Sequence, residues 1–318
     1  MRSSSSWQSW DRFIADFRAL SSGMHLARPW VTEPGPGGAL HTWEEEMPTV
    51  KDRVRIAAIG DLHYSRTSTP GTLQPLFSSI TEAADILVIC GDLTDFGTAD
   101  EARALAREIT SAIRIPCVAV LGNHDFEAGQ QEEIRKIMLD AGVVTLDGDT
   151  TEVHGIGFAG VKGFAGGFGR RALGPWGEDI IKSFVREAVD EALKLETALA
   201  RLRNDRLVAI LHYSPIQETV EGEPREIFPF LGCSRLEEPL TRYPVSVVFH
   251  GHAHHGVPEG RTRTNVPVFN VSLSLMRDCS PERPFGVFDI DMGSATPADP
   301  ERRRGADRRG VERVPTGG

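Results

Sequence analysis

At 318 residues, with 40% apolar side chains, the chain has ample material for a packed core and suits one large α/β body. Its 35 basic and 45 acidic side chains leave a formal net charge of −10, which disfavours a general nucleic-acid or membrane surface. No apolar run approaches the roughly 20 residues of a membrane span, and Asp11, Arg12, Asp16 and Arg18 interrupt any secretory apolar stretch at the start.

Residues 1–51 read as an N-terminal extension. Phe13, Ile14, Phe17 and Leu20 recur at helical spacing, which predicts a short amphipathic helix over 10–20. Pro34-Gly35-Pro36-Gly37-Gly38 marks a loop. Trp7, Trp10, Trp30 and Trp43 are costly to expose, so part of the extension is expected to pack on the body.

The body, 52–292, alternates strands and helices. A strand over 54–59 delivers Asp61-Leu62-His63. A helix over 72–84 leads to a strand over 86–90, which delivers Gly91-Asp92-Leu93-Thr94-Asp95. Thr98 and Glu101 spell a capping box for a helix running to about residue 113. A strand over 117–121 leads into Gly122-Asn123-His124-Asp125, and a helix over 127–141 stops at Gly142. Short strands follow at 143–146, 151–154 and 156–161. A glycine-rich segment from Lys162 to Gly177, with Arg170 and Arg171 in it, precedes a long helix over 178–202. Ile181, Phe184, Val185, Ala188, Ala192, Leu195, Leu199 and Leu202 form its apolar stripe. A strand over 207–211 delivers His212, and one over 245–249 delivers Gly251-His252-Ala253-His254. Strands near 267–273 and 285–291 finish the body. Residues 293–318 are rich in Arg, Pro and Gly with few apolar residues, so a disordered tail is expected. The four cysteines, Cys90, Cys117, Cys233 and Cys279, form no CxxC pair; reduced thiols in a cytoplasmic protein are expected.

Carboxylates, imidazoles and one amide thus stand at successive strand ends. Strand carboxyl ends are where open α/β sheets place their sites, so these residues read as ligands rather than as packing. A series with βα units first and short β runs later suggests two packed sheets with helices outside.

The order D-x-H, G-D-x-x-D, G-N-H-D, H, G-H-x-H over roughly 52–292 resembles the calcineurin-like metallophosphoesterase family. The resemblance implies an α/β fold, a four-layer α/β/β/α sandwich with two mixed β-sheets. It also implies a dinuclear centre. Asp92 would bridge two divalent cations, because the two oxygens of an aspartate can point at separate metals about 3.5–4 Å apart. Asp61, His63 and His254 would complete one ion's ligands; Asn123, His212 and His252 the other's. Manganese, iron or zinc suits such donors, with manganese the ion expected to work in vitro. His124 resembles the family's catalytic histidine and Asp95 its carboxylate partner, which would favour the protonated imidazole. Asp125 is expected to orient a ligand or to cap the next helix, and His250 and His255 to be satisfied polar neighbours.

The implied reaction is hydrolysis of a phosphate ester by a water activated at the two metals. The Ser/Thr protein phosphatases of the family carry an arginine after the second motif and another before the third. Here Phe96 and Leu121 stand there, and the spelling is more similar to the bacterial phosphodiesterase branch, which includes class III cyclic-nucleotide phosphodiesterases. A phosphodiester of a small phosphorylated compound is therefore the expected substrate, with no membrane partner and nucleic acid disfavoured. The alternatives are a phosphomonoesterase, acting on protein or small molecule, and a non-catalytic scaffold, which would have lost ligands. Arg170 and Arg171 are expected to border the site and steer an anionic substrate.

Overall fold

The computed structural model describes residues 52–293, so the expectations for the extension and for 294–318 lie outside the described residues. The elements follow in chain order: β1 (Arg53–Ile59), α1 (Gln74–Ala83), β2 (Ile86–Cys90), α2 (Ala99–Ala112), β3 (Cys117–Val120), α3 (Gln131–Asp140), β4 (Val143–Leu146), β5 (Asp149–Val153), β6 (Ile156–Gly160), α4 (Asp179–Arg201) and β7 (Leu207–Ile210). After these come α5 (Phe228–Leu231), α6 (Glu237–Arg242), β8 (Val245–His250), β9 (Glu259–Arg261), β10 (Pro267–Asn270), α7 (Leu273–Cys279) and β11 (Gly286–Asp291).

The strands form two mixed sheets. The first has the order β11-β1-β2-β3-β4, parallel except for the β1–β11 edge. The second has the order β5-β6-β7-β8-β10-β9, with antiparallel pairs at both edges and parallel pairs within. The alternation of side chains along each strand builds the layers. Ile56, Ala58, Val88, Val118, Val120, Phe158, Val208, Ile210 and Phe249 point into the space between the sheets. On the outer side of the first sheet, Ala57, Ile59, Leu87, Ile89 and Ala119 meet Phe77, Ile80, Leu105, Ile109 and Met138 of the helices. On the outer side of the second, Leu207, Ala209 and Val248 meet Ala192, Leu195 and Leu199 of α4. The result is the four-layer α/β/β/α sandwich. Because both faces of the central strands are covered, they read as unbroken apolar runs rather than as alternating ones.

The local signals hold where they rest on backbone chemistry. The Thr98 side chain accepts from Glu101 N, and the Glu101 carboxylate accepts from Thr98 N, completing the capping box. The same carboxylate also accepts from Phe96 N, so the cap fastens the chain that leaves the second motif. The expected helix over 127–141 starts later, at Gln131. Before it, His124–Phe126 make one 3₁₀ turn, and Gly129 N closes a second turn onto Phe126 O. The expected strand over 267–273 ends at Asn270, and Leu273–Cys279 is helical. Cys90, Cys117 and Cys233 are buried free thiols and Cys279 an exposed one. No helix among the described residues is long and apolar enough to cross a membrane.

Thr98→Ala removes the acceptor of the capping box and is expected to cost about 1 kcal/mol. Urea unfolding checks this: the midpoint should fall with the slope unchanged.

Candidate metal centre

Asp61, Asp92 and Asn123 follow the C-terminal ends of parallel β1, β2 and β3, and His212 and His252 follow those of β7 and β8. Hydrogen bonds bind the turns to one another. Asp61 N donates to Gly91 O, His63 N to Asp92 O and Gly251 N to His212 O. Among the links that cross between the sheets, His252 N donates to both Asp61 oxygens at 3.0 Å, and His212 Nδ1 lies 2.9 Å from Cys90 O.

The backbone is strained where the candidate ligands stand. Asp61, His63, Asp92 and His252 have φ of 57°, 44°, 48° and 69°, in the left-handed region that non-glycine residues avoid. Such conformations cost on the order of 1–3 kcal/mol each and persist only where surrounding structure enforces them. Two motif glycines have a steric reason. A Cβ on Gly122 would enter the Asp92 carboxylate and backbone, and one on Gly251 would enter the Asp61 carboxylate.

Three overlapping groups of donor atoms result, the atoms of each within 4.8 Å of one another: Asp61, His63 and His254; His63, Asp92 and His124; Asp92, His212 and His252. His212 Nε2 lies 3.5 Å from Asp92 Oδ2 and 2.8 Å from Asn123 Oδ1. His63 Nε2 lies 3.7 Å from the same Asp92 oxygen. All seven residues expected as ligands therefore meet in one cluster, with Asp92 in two of its groups.

Backbone carbonyls set which nitrogen of each ring is free. A carbonyl only accepts, so the ring nitrogen beside it must carry the proton. His212 Nδ1–H donates to Cys90 O, leaving the Nε2 lone pair toward Asp92 and Asn123. His252 Nε2–H donates to Phe230 O at 3.1 Å, leaving Nδ1. His124 Nδ1–H donates to Asp95 O at 2.7 Å, leaving Nε2.

Burial is the main electrostatic force. It holds the pKa of His63 below the ordinary histidine value, against the pull of Asp61, and that of His212 well below. It pushes His252 down to about 3. His254 is the exception, raised by its Asp61 hydrogen bond at 3.1 Å. Asp92, only 1% exposed, has its pKa raised well above the carboxylate range by burial and then by Asp61 and Asp125.

Three observations fit a divalent cation. His63 Nε2 is buried with no hydrogen-bond partner. At His212 Nε2, the ring's free lone pair meets Asn123 Oδ1 at 2.8 Å and Asp92 Oδ2 at 3.5 Å. Among the described residues, no Lys or Arg nitrogen lies within 4.0 Å of the Asp61 or Asp92 carboxylates, whose ring partners are His254 for Asp61 and His63 and His212 for Asp92. Oxygen and nitrogen donors without sulfur suit manganese, iron or zinc.

Asp95 divides its contacts in a way the sequence does not reveal. Its carbonyl holds His124, while its carboxylate lies 3.4 Å from His63 Nδ1 and 3.9 Å from His124 Nδ1. Asp125 caps no helix; its buried carboxylate accepts from Leu93 N, Thr94 N, Thr94 Oγ1 and Gly122 N, fastening the second motif to the third. His250 is a satisfied neighbour, 2.7 Å from Gly251 O and 2.8 Å from Thr219 Oγ1. Arg170 and Arg171 are exposed on a 3₁₀ turn, and the preceding Gly166 and Gly167 donate to Pro229 O and Gly232 O, beside the Phe230 carbonyl that holds His252. Sequence reasoning missed Phe230, whose part is played by a carbonyl and has no residue signature. It also missed Tyr213, whose ring lies 4.5 Å from that of His252, although its place beside His212 is a usable signal.

A family model described as calcineurin-like phosphoesterase matches residues 54–256. The uncharacterized protein MJ1162 of Methanocaldococcus jannaschii is 29% identical over 110 residues, 35% of this chain and 44% of that protein, so the chain spans under half the length of that curated relative. A phosphopantetheinyl hydrolase structure (PptH) from Mycobacterium tuberculosis aligns with a TM-score of 0.55 at 16% identity, covering 79% of this chain and 98% of that one. TT1561 of Thermus thermophilus aligns with a TM-score of 0.44 at 15% identity, covering 75% of this chain and 99% of that one.

Gly122→Ala forces a methyl into Asp92 and is expected to destabilise the protein by about 1–3 kcal/mol, as overpacking does. It should also lower metal content per chain. Thermal unfolding and elemental analysis check both, and a variant as stable and as loaded as wild type would remove the steric reason for the glycine.

Proposed function

Because the chain belongs to the calcineurin-like phosphoesterase family, we propose that it is a metal-dependent hydrolase of a phosphate ester, specifically of a phosphodiester. The observation that carries the reading is the buried donor cluster around Asp92, whose carboxylates no Lys or Arg nitrogen among the described residues approaches within 4.0 Å. Asp92 is assigned as the bridge, Asp61, His63 and His254 as the remaining ligands of one ion, and Asn123, His212 and His252 as those of the other. A bound pair of divalent ions supplies Lewis acidity toward phosphoryl oxygens and activates water as the nucleophile. His124 is assigned as the general acid. With Nδ1–H held on Asp95 O, it acts in the imidazolium form, its second proton, on Nε2, passing to the departing ester oxygen. Asp95 also orients His63 through its carboxylate.

The ester class rests on what stands beside the donors. A dianionic monoester is best recognised by bidentate arginine. At the two positions in question Phe96 is 54% exposed and Leu121 is buried, and neither offers a donor. Arg170 and Arg171 are assigned to longer-range steering, an effect that salt should screen. The catalytic domain is taken as 52–292, with 1–51 an extension and 293–318 a tail. The free buried thiols support a cytoplasmic setting.

Three outcomes follow from these assignments. Chelation should abolish hydrolysis, and manganese should restore it; full activity in metal-free protein would refute the metal reading. Asp92→Ala should lose metal and turnover together, whereas His124→Ala should keep its metal. The His124→Ala loss in kcat is expected at roughly 10²–10⁴-fold for an alkyl leaving group and less for an aryl one, which needs little protonation. The third outcome is the ratio of kcat/KM for an aryl diester to that for the matching monoester. It should exceed one, and a ratio well below one would assign the protein as a phosphomonoesterase.

A further inference from the structure

Lys162 stands directly beyond β6, at the start of the glycine-rich segment, and its backbone is part of the metal centre's frame. Its carbonyl accepts from both His212 N and Tyr213 N at 3.0 Å, so Lys162 cannot shift independently of His212. Its side chain runs among three aromatic rings. The Nζ atom lies 5.3 Å from the Phe126 centroid, 4.9 Å from Phe164 and 5.4 Å from Tyr213. Phe126 is two residues past His124, and the Tyr213 ring packs 4.5 Å from His252 and 5.4 Å from His212. Two of the three rings that hold the ammonium therefore adjoin the site, Phe126 near His124 and Tyr213 beside His212 and His252.

Its hydrogen bonding is incomplete. An ammonium has three donors. One goes to Gly163 O at 2.9 Å, and among the described residues no carboxylate lies within 4.0 Å of Nζ. The nearby buried Glu191 is already engaged: one oxygen accepts from Gly163 N at 2.7 Å and the other from Lys194 Nζ at 2.7 Å. Aromatic faces attract the charge but accept no strong hydrogen bond. Lys162 and Phe126 also line a cavity of about 30 Å³ whose wall includes Glu132, Arg135 and Asp147 and none of the candidate ligands; it admits a water or two and is too small to be the substrate pocket itself. A half-buried cation, with Glu191, Glu187 and Asp147 near it but none within 4.0 Å of Nζ, thus keeps donors that no described residue takes up, beside a centre read as binding phosphate esters.

We propose that Lys162 is a substrate-binding residue that donates to an anionic phosphoryl oxygen on the His212–His252 side of the centre. This rests on the reading of the protein as a phosphoesterase and adds a residue and a recognition mode to it. Lys162 is half-buried and bonded through its backbone to His212, whereas Arg170 and Arg171 are exposed. The aromatic rings fix the ammonium in place, so little side-chain entropy is lost when an anion arrives.

The experiment compares wild type, Lys162→Met and Lys162→Arg as full-length, metal-loaded protein, with inorganic phosphate as the probe in titration calorimetry. Methionine keeps the apolar stem among the rings and removes the charge. Lys162→Met is expected to bind phosphate about 10–100-fold more weakly, the loss of a hydrogen bond between charged groups, with metal content and Tm unchanged. Lys162→Arg should recover most of the affinity. On an aryl diester the same Lys162→Met should raise KM with kcat little changed, and the effect should persist at high salt, where long-range steering fades. Phosphate binding equal to wild type in Lys162→Met would overturn the proposal. So would a fall in metal content parallel to the loss of phosphate, since Lys162 would then be a structural strut, and so would a wild type that binds no phosphate. A wild type that binds phosphate through Lys162 yet hydrolyses no ester would uphold the binding residue and refute the hydrolase reading.

Discussion

The burial of two aspartates side by side is the constraint on which the rest of this structure depends. Asp92 and Asp61 are almost wholly withdrawn from water, with Asp125 and Asp95 close enough to act on Asp92. Burying a carboxylate without a partner costs several kcal/mol, and among the described residues no lysine or arginine contacts either one, Asp61 having His254 instead. The imidazoles around them are kept neutral by burial at His63, His212 and His252, so they offer lone pairs instead of positive charge. Such an arrangement is costly as protein and sensible as a receptacle for cations.

Maintaining that receptacle shapes the turns. Four of the candidate ligands sit in left-handed backbone conformations, and two glycines are emptied of side chain so that an aspartate from another turn can approach. The surrounding structure over-determines these conformations. Asp125 gathers four donors from the second and third motifs, and Asn270 Nδ2 donates to Ala253 O at 2.7 Å, between the two histidines of the last motif. The Ser272 hydroxyl donates to the same carbonyl. These buried, satisfied networks make the site rigid at the points where metal ligands must be held.

The two-sheet architecture explains why the ligands come from such distant parts of the chain. Each sheet presents the C-terminal ends of its parallel strands at one edge, and the contacts of His252 with Asp61 and of His212 with Cys90 tie the two edges together. The first sheet alone would supply four of the seven donors and the second alone three. The packing of Val88, Val120, Phe158, Ile210 and Phe249 between the sheets thus does more than stabilise the fold, because it fixes the separation across which the donors face one another.

Much of this was legible in the sequence, for a local reason. Each ligand lies within a few residues of an apolar run, so a strand assignment and a residue type together specify a donor at a sheet edge. Runs such as Ile86–Cys90, apolar at every position, announced strands buried on both faces. The Thr98–Glu101 cap was equally readable, since its partners are three residues apart. What the sequence left undecided depends on atoms brought together from far apart. The free nitrogens of His212, His124 and His252 are set by the carbonyls of Cys90, Asp95 and Phe230, and a carbonyl is the same atom in every residue. The division of Asp95 between His63 and His124, and the ring of aromatics around Lys162, likewise arise only when β2, β3, β6 and β7 are assembled. The sequence by itself determined which donors exist and at which strand ends they stand, because strand propensity and residue chemistry are local. The tertiary structure decided which lone pairs face the centre, and which cation stands beside it, because long-range packing chooses those partners.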